Sequence, residues 1–123
     1  MTDKNQLGDP KALIEPIINM AVEAWRFGRV FERVIMKLDI GEQTRYQSQL
    51  RWFIKKTEES LTEAGLRIVN VEGHPFDPGV AATPLNIEEF EADDTLVVDQ
   101  MLEPIIMGDE GVIRTGTVIL RKV

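Results

Sequence analysis

The chain has no cysteine in its 123 residues and a single histidine, His74. The first absence excludes disulfides, thiol nucleophiles and cysteine-ligated metal sites, and it fits a reducing compartment. The second excludes a metal site that needs a histidine pair, and leaves too little for a catalytic triad. His74 lies beside Asp77 in a proline-rich loop, where a structural hydrogen bond or plain exposure is expected rather than a general base. No apolar stretch approaches the roughly 18 residues that span a bilayer. The start, MTDKNQLGDPK, has no apolar run behind a basic end, so no secretory signal is expected and the expected location is the cytoplasm. The acidic residues Glu88, Glu89, Glu91, Asp93 and Asp94 lack the spacing of a calcium-wrapping loop. Gly108-Asp109-Glu110-Gly111 is too acidic to cradle phosphate. No catalytic residue, metal or cofactor is expected.

What is present is the composition of a globular protein, 43% hydrophobic and 28% charged, of a size for one ordinary domain or two very small ones. The net charge of −7 argues against nucleic acid as the main partner. The charge is unevenly spread. Arg26, Arg29, Arg33, Lys37, Arg45, Arg51, Lys55 and Lys56 crowd one stretch, whereas from Glu58 to Glu110 there are fourteen acidic residues and Arg67 is the one basic one. A solvated surface accounts for this, and so does an acidic half that meets a basic partner.

Asp9-Pro10 reads as a helix start, cap followed by first-turn proline, after a frayed residue 1–8 segment. From there Leu13, Ile17, Met20, Ala24, Phe27, Phe31, Val34 and Leu38 recur at spacings of 4, 3, 4, 3, 4, 3 and 4, the seam of a bundle or coiled coil. Ile14, Ile18, Ala21, Trp25 and Ile35 widen the stripe until it can face more than one helix. Pro16 either kinks the first turns or marks the true start. Asp39 to Glu42 breaks the pattern, with Gly41 as the expected hinge, and a second helix is expected over 42–64, ended by Gly65. Two helices cannot hide this much apolar surface. The expectation is an antiparallel hairpin that dimerises into a four-helix bundle through those eight seam residues.

After Gly65 the period changes to that of strands. Leu66–Val71, Leu96–Leu102 and Val112–Leu120 read as β, Gly73–Gly79 as a loop of turn formers and Gly108–Gly111 as a hairpin turn. The fold class is therefore α+β: residues 1–65 a helical dimerisation region, residues 66–123 a small all-β domain.

Three segments of the back half resemble the GrpE family of nucleotide exchange factors. Gly73-His74-Pro75-Phe76-Asp77-Pro78 matches the family's Gly-x-x-Phe-Asp-Pro loop. Asp93-Asp94 matches its acidic pair ahead of a strand, and Val112-Ile113-Arg114-Thr115-Gly116-Thr117-Val118 its closing strand. The resemblance covers roughly residues 65–123, with the two-helix front matching more loosely. It implies a homodimer whose β-domain enters the nucleotide-binding lobe of a DnaK-type chaperone and levers the cleft open, so that ADP leaves. Phe76, Pro78, Met101 and Arg114 would be the contact residues. The departures are specific: only about nine residues precede the first helix, where family members carry a long coiled coil. Gly79–Thr83 replaces a histidine-containing stretch, and the hairpin loop is one residue longer. Gly111 stands where the family has a contact arginine, and Thr115-Gly116 replaces a Pro-Ala pair.

Three function classes stay open at this point. One is a GrpE-like cochaperone in protein folding and the stress response, the second a GrpE-like docking module without exchange activity, and the third a small-molecule-binding protein.

Overall fold

The structure, a computed structural model, describes residues 10–123. The Asp9 cap and the 1–8 segment lie outside the described residues. The architecture is α+β, a two-helix hairpin followed by an all-strand region. The chain divides into two compact units, the first ending at Leu61 and the second spanning Thr62–Val123.

In the first unit, α1 (Pro10–Ile35) carries Pro16 inside it, so the helix forms despite the backbone donor that this residue lacks. It ends in tightened bonds from Lys37 N to Val34 O and from Leu38 N to Ile35 O. Helix α2 (Ile40–Glu63) starts on Asp39, whose carboxylate accepts the Glu42 amide at 3.0 Å. The break between the helices is thus made by an aspartate cap; Gly41, expected to be the hinge, is already helical. Gln43 binds back to the Leu38 carbonyl at 2.8 Å, which satisfies an orphan acceptor of the α1 end. Ile18, Ala21, Val22 and Ile35 of α1 and Leu50 and Leu61 of α2 are buried. Gly28 is buried against Leu50 and Ile54, with room for a Cβ at ordinary contact distance. No described helix is long and apolar enough to cross a membrane.

The second unit holds six strands in two sheets. The strands are β1 (Arg67–Val69), β2 (Ala82–Pro84), β3 (Leu96–Glu103), β4 (Ile105–Gly108), β5 (Gly111–Arg114) and β6 (Gly116–Lys122). One sheet runs β1-β4-β5, the other β2-β6-β3, with β2 parallel to β6 and the remaining pairs antiparallel. The expected single strand Val112–Leu120 is therefore two. The chain leaves the first sheet after Arg114 and enters the second at Gly116. It makes the opposite switch at Pro104, which has no amide to donate and is buried between β3 and β4. Gly116 is buried, and the position requires glycine because a Cβ there would lie 2.8 Å from both the Glu103 carbonyl oxygen and Met101 Cε. Val98, Met101, Ile105, Ile106, Val118 and Leu120 form the core. The segment between β2 and β3, unreadable from its sequence, holds a short 3-10 turn (Ile87–Glu89).

Candidate partner-binding surfaces

The Gly73–Pro78 loop is built as a ridge along β3. Gly73, at φ +82, takes the position of a turn closed by His74 N donating to Val71 O at 3.0 Å. The chain then runs beside β3. Gly73 N donates to Val98 O at 2.8 Å, Val98 N to His74 O at 3.0 Å, and Phe76 N to Leu96 O at 3.0 Å. Pro75 faces Val97 in an antiparallel bridge, and its missing donor costs nothing on an outer edge. A second turn follows at Asp77-Pro78-Gly79-Val80, where Gly79 N reaches the Asp77 carboxylate at 2.7 Å and Val80 N the Asp77 carbonyl at 3.0 Å. The result is a backbone ordered before any partner arrives, with Pro78 exposed and Phe76 half-buried.

Of the four residues expected to contact a partner, this ridge brings together two. Arg114 is half-buried on β5, paired across the hairpin with Ile106. Met101 does not belong to a contact surface: it is 2% exposed, packed beneath the loop, with its sulfur accepting the Val71 amide at 3.3 Å. Its apolar side chain fills the core where β3 bulges, and that corrects the expectation that it meets a partner. Gly111 has φ +123, a conformation that L side chains rarely adopt. The glycine at the family's arginine position is thus demanded by this hairpin's own turn.

One member of the acidic pair, Asp94, is also structural. Asp94 accepts the Glu91 amide at 2.8 Å and pairs with Lys122 at 3.2 Å, and these two interactions hold its carboxyl below the ordinary value of 3.8. Between Arg67 and Arg114 the sequence has no lysine or arginine, but in the fold β6 sets Arg121 against Asp99 at 3.1 Å and Lys122 against Asp94 at 3.2 Å, so the carboxylates on and before β3 are partly matched by cations. Among the described residues no group of three His, Asp or Glu side chains is placed to hold a metal ion.

The helical unit offers a second surface. Of the eight seam residues, Leu13, Met20, Phe27 and Val34, spaced by seven, are exposed, whereas Ile17, Ala24, Phe31 and Leu38 are half-buried. The reason is geometric. The neighbouring line Ala21, Gly28 and Ile35 faces α2, so the seam turns partly away from it. Beside it lies an open apolar groove of about 480 Å³, lined by Ile17, Met20, Ala24, Phe53, Thr57 and Leu61 among others. Trp52, 59% exposed, lies elsewhere on α2 with Lys56 Nζ 4.6 Å from its ring centre.

Sequence reasoning passed over two side chains that shape the ridge unit. Asn86 uses both ends of its amide on Leu120, Nδ2 donating to the carbonyl and Oδ1 accepting the amide, each at 2.9 Å. Glu72 accepts the Met101 amide at 2.7 Å. Asn86 is an isolated polar residue between Leu85 and Ile87, a pattern that signals a buried partner; Glu72 carries no such signal. No family model, no curated protein and no solved structure matches this chain.

Proposed function

We propose that this chain is a GrpE-like cochaperone, a homodimer through its helices, whose β-unit binds the nucleotide-binding domain of a DnaK-type chaperone and promotes ADP release. The observation that supports the reading is the ridge: one of the three segments that carry the resemblance is a loop hydrogen-bonded along β3, with Pro78 exposed. Exchange needs no bond chemistry. A protein that binds the open nucleotide lobe more tightly than the closed one shifts the lobe open by that difference in affinity. The half-exposed apolar seam of α1 supports a second copy as the cover for the helices.

Stopped-flow release of a fluorescent ADP from a DnaK-type chaperone of the same source tests this. Saturating protein accelerates release, and Phe76→Ala weakens the effect about 5- to 150-fold, the range for losing one apolar anchor. A rate unchanged at saturation, with no heat of binding by calorimetry, overturns it.

A second reading is favoured by Met101 and Gly111. One expected contact is in the core, and a turn glycine stands where the family has a contact arginine, so the ridge supports docking better than it supports a full lever. A complex that forms by calorimetry without faster ADP release selects this docking-module reading.

A further inference from the structure

We infer that Glu72 is a positioning residue: its carboxylate, together with the Met101 sulfur, clasps the root of the Gly73–Pro78 ridge to β3 and thereby sets the pose in which Phe76 and Pro78 meet a partner. The starting point is the bulge in β3. Its register against β6 shifts between Val98 and Gln100 and again between Met101 and Glu103. Ridge bonds to β3 reach Val98 and go no further. The Met101 amide, in a residue 2% exposed, therefore lies beyond the ridge ladder, and a buried amide left without an acceptor is strongly disfavoured.

The chain just before the ridge supplies that acceptor. Glu72 Oε2 takes the Met101 amide at 2.7 Å, a short bond strengthened by the carboxylate charge. In the return direction the Val71 amide donates to Met101 Sδ at 3.3 Å. One residue of β3 thus holds two successive residues of the loop root, one through its amide and one through its side chain. Asn70 Oδ1 accepts the Glu72 amide at 2.9 Å and fixes the backbone of Glu72 itself. The next residue is Gly73, where the ridge ladder begins.

The test is hydrogen exchange on the full chain, followed at single amides. In Glu72→Ala the amides of Met101, Gly73 and Phe76 exchange at least about tenfold faster, whereas those of Ile106 and Val118 in the core keep their protection. Glu72→Gln, which keeps an oxygen acceptor, restores most of it. Met101→Leu, which keeps the volume and removes the sulfur, accelerates the Val71 amide and leaves Met101 protected. The arm that rests on the cochaperone reading is binding: Glu72→Ala weakens the complex with the chaperone's nucleotide-binding domain about tenfold at unchanged helicity, and Glu72→Gln rescues it. Ridge amides as protected in Glu72→Ala as in the wild type, or no rescue by Glu72→Gln, overturns the assignment. The exchange arm decides it even where the wild type binds no chaperone, an outcome that sinks the cochaperone reading alone.

Discussion

Phe27 and Phe31, one helical turn apart on α1, hold their rings 5.8 Å apart and 12° from parallel. Phe31 also meets Tyr46 of α2 edge-on at 6.2 Å, while Phe27 is left 59% exposed. The stack runs from inside the hairpin to its open face. It makes the two phenylalanines unequal: one bridges the two helices, the other stands open to solvent.

That inequality gives a sharp expectation for assembly. Phe27→Asp places a charge where a single chain already leaves the ring in water, so helicity by circular dichroism stays close to wild type. In a two-fold interface the same change removes the ring twice and buries two charges, so the dimer dissociation constant rises at least about a hundredfold. Sedimentation of the two proteins reads this directly. A wild type that stays monomeric at high micromolar concentration defeats the dimer.

Two glycines respond to alanine with opposite sign. At Gly28 a Cβ would sit 3.7 Å from Leu50 Cδ1, ordinary contact, and the helix gains by losing a flexible residue; Gly28→Ala stabilises by about 0.5–1 kcal/mol. At Gly116 the Cβ would press on a backbone carbonyl of Glu103 that has no freedom to retreat. Gly116→Ala costs about 1–3 kcal/mol as an overpacked core does. Urea midpoints of the two variants check the pair, and a Gly116→Ala as stable as wild type refutes the sheet-switch argument.

How far the sequence carries the reader follows from which signals are local. The helices were legible because apolar spacing repeats over seven intervals, and Gly65 because its positive φ of 77 ends a helix as only glycine does readily. Gly41 misled because a glycine near a break looks like its cause, whereas Asp39 makes the cap. The sheet switch at Gly116 was hidden because strand propensity is continuous across Val112–Leu120; what divides it is contact with residues distant in sequence. Met101 was expected at a contact from the resemblance alone, which does not tell which face of the strand a residue takes. A methionine in an alternating strand reads as facing out or in with equal ease until the bulge in β3 fixes its side.

Asp94 gives an acid signature with a definite sign. The Glu91 amide and then Lys122 lower its folded-state value below 3.8, so the unfolded chain binds the proton first. Its contribution to stability is complete above about pH 5 and is lost as the pH falls through the lowered folded value. Asp94→Asn removes the charge and with it this dependence. The gap between wild-type and Asp94→Asn urea midpoints therefore narrows as the pH drops from 6 to below 3.8. A gap that widens contradicts the assigned sign.

Under the proposed cochaperone reading, Gly111 decides whether an arginine contact can be built at its position. If the position were merely a lost arginine, Gly111→Arg would strengthen binding to the chaperone. The hairpin forbids it: φ is +123 at Gly111, and a side chain there forces the β4–β5 turn to change or carry strain of about 1–3 kcal/mol. Gly111→Arg is therefore expected to lower the melting temperature and to leave chaperone affinity no better. Val112, next along β5, is 46% exposed and needs no such backbone. An arginine introduced there, Val112→Arg, keeps the hairpin and adds a cation to the end of the strand that Arg114 closes. Calorimetric titration of the two variants against the nucleotide-binding domain separates backbone from charge. Tighter binding by Gly111→Arg at undiminished stability would show that the turn is not what holds the glycine in place.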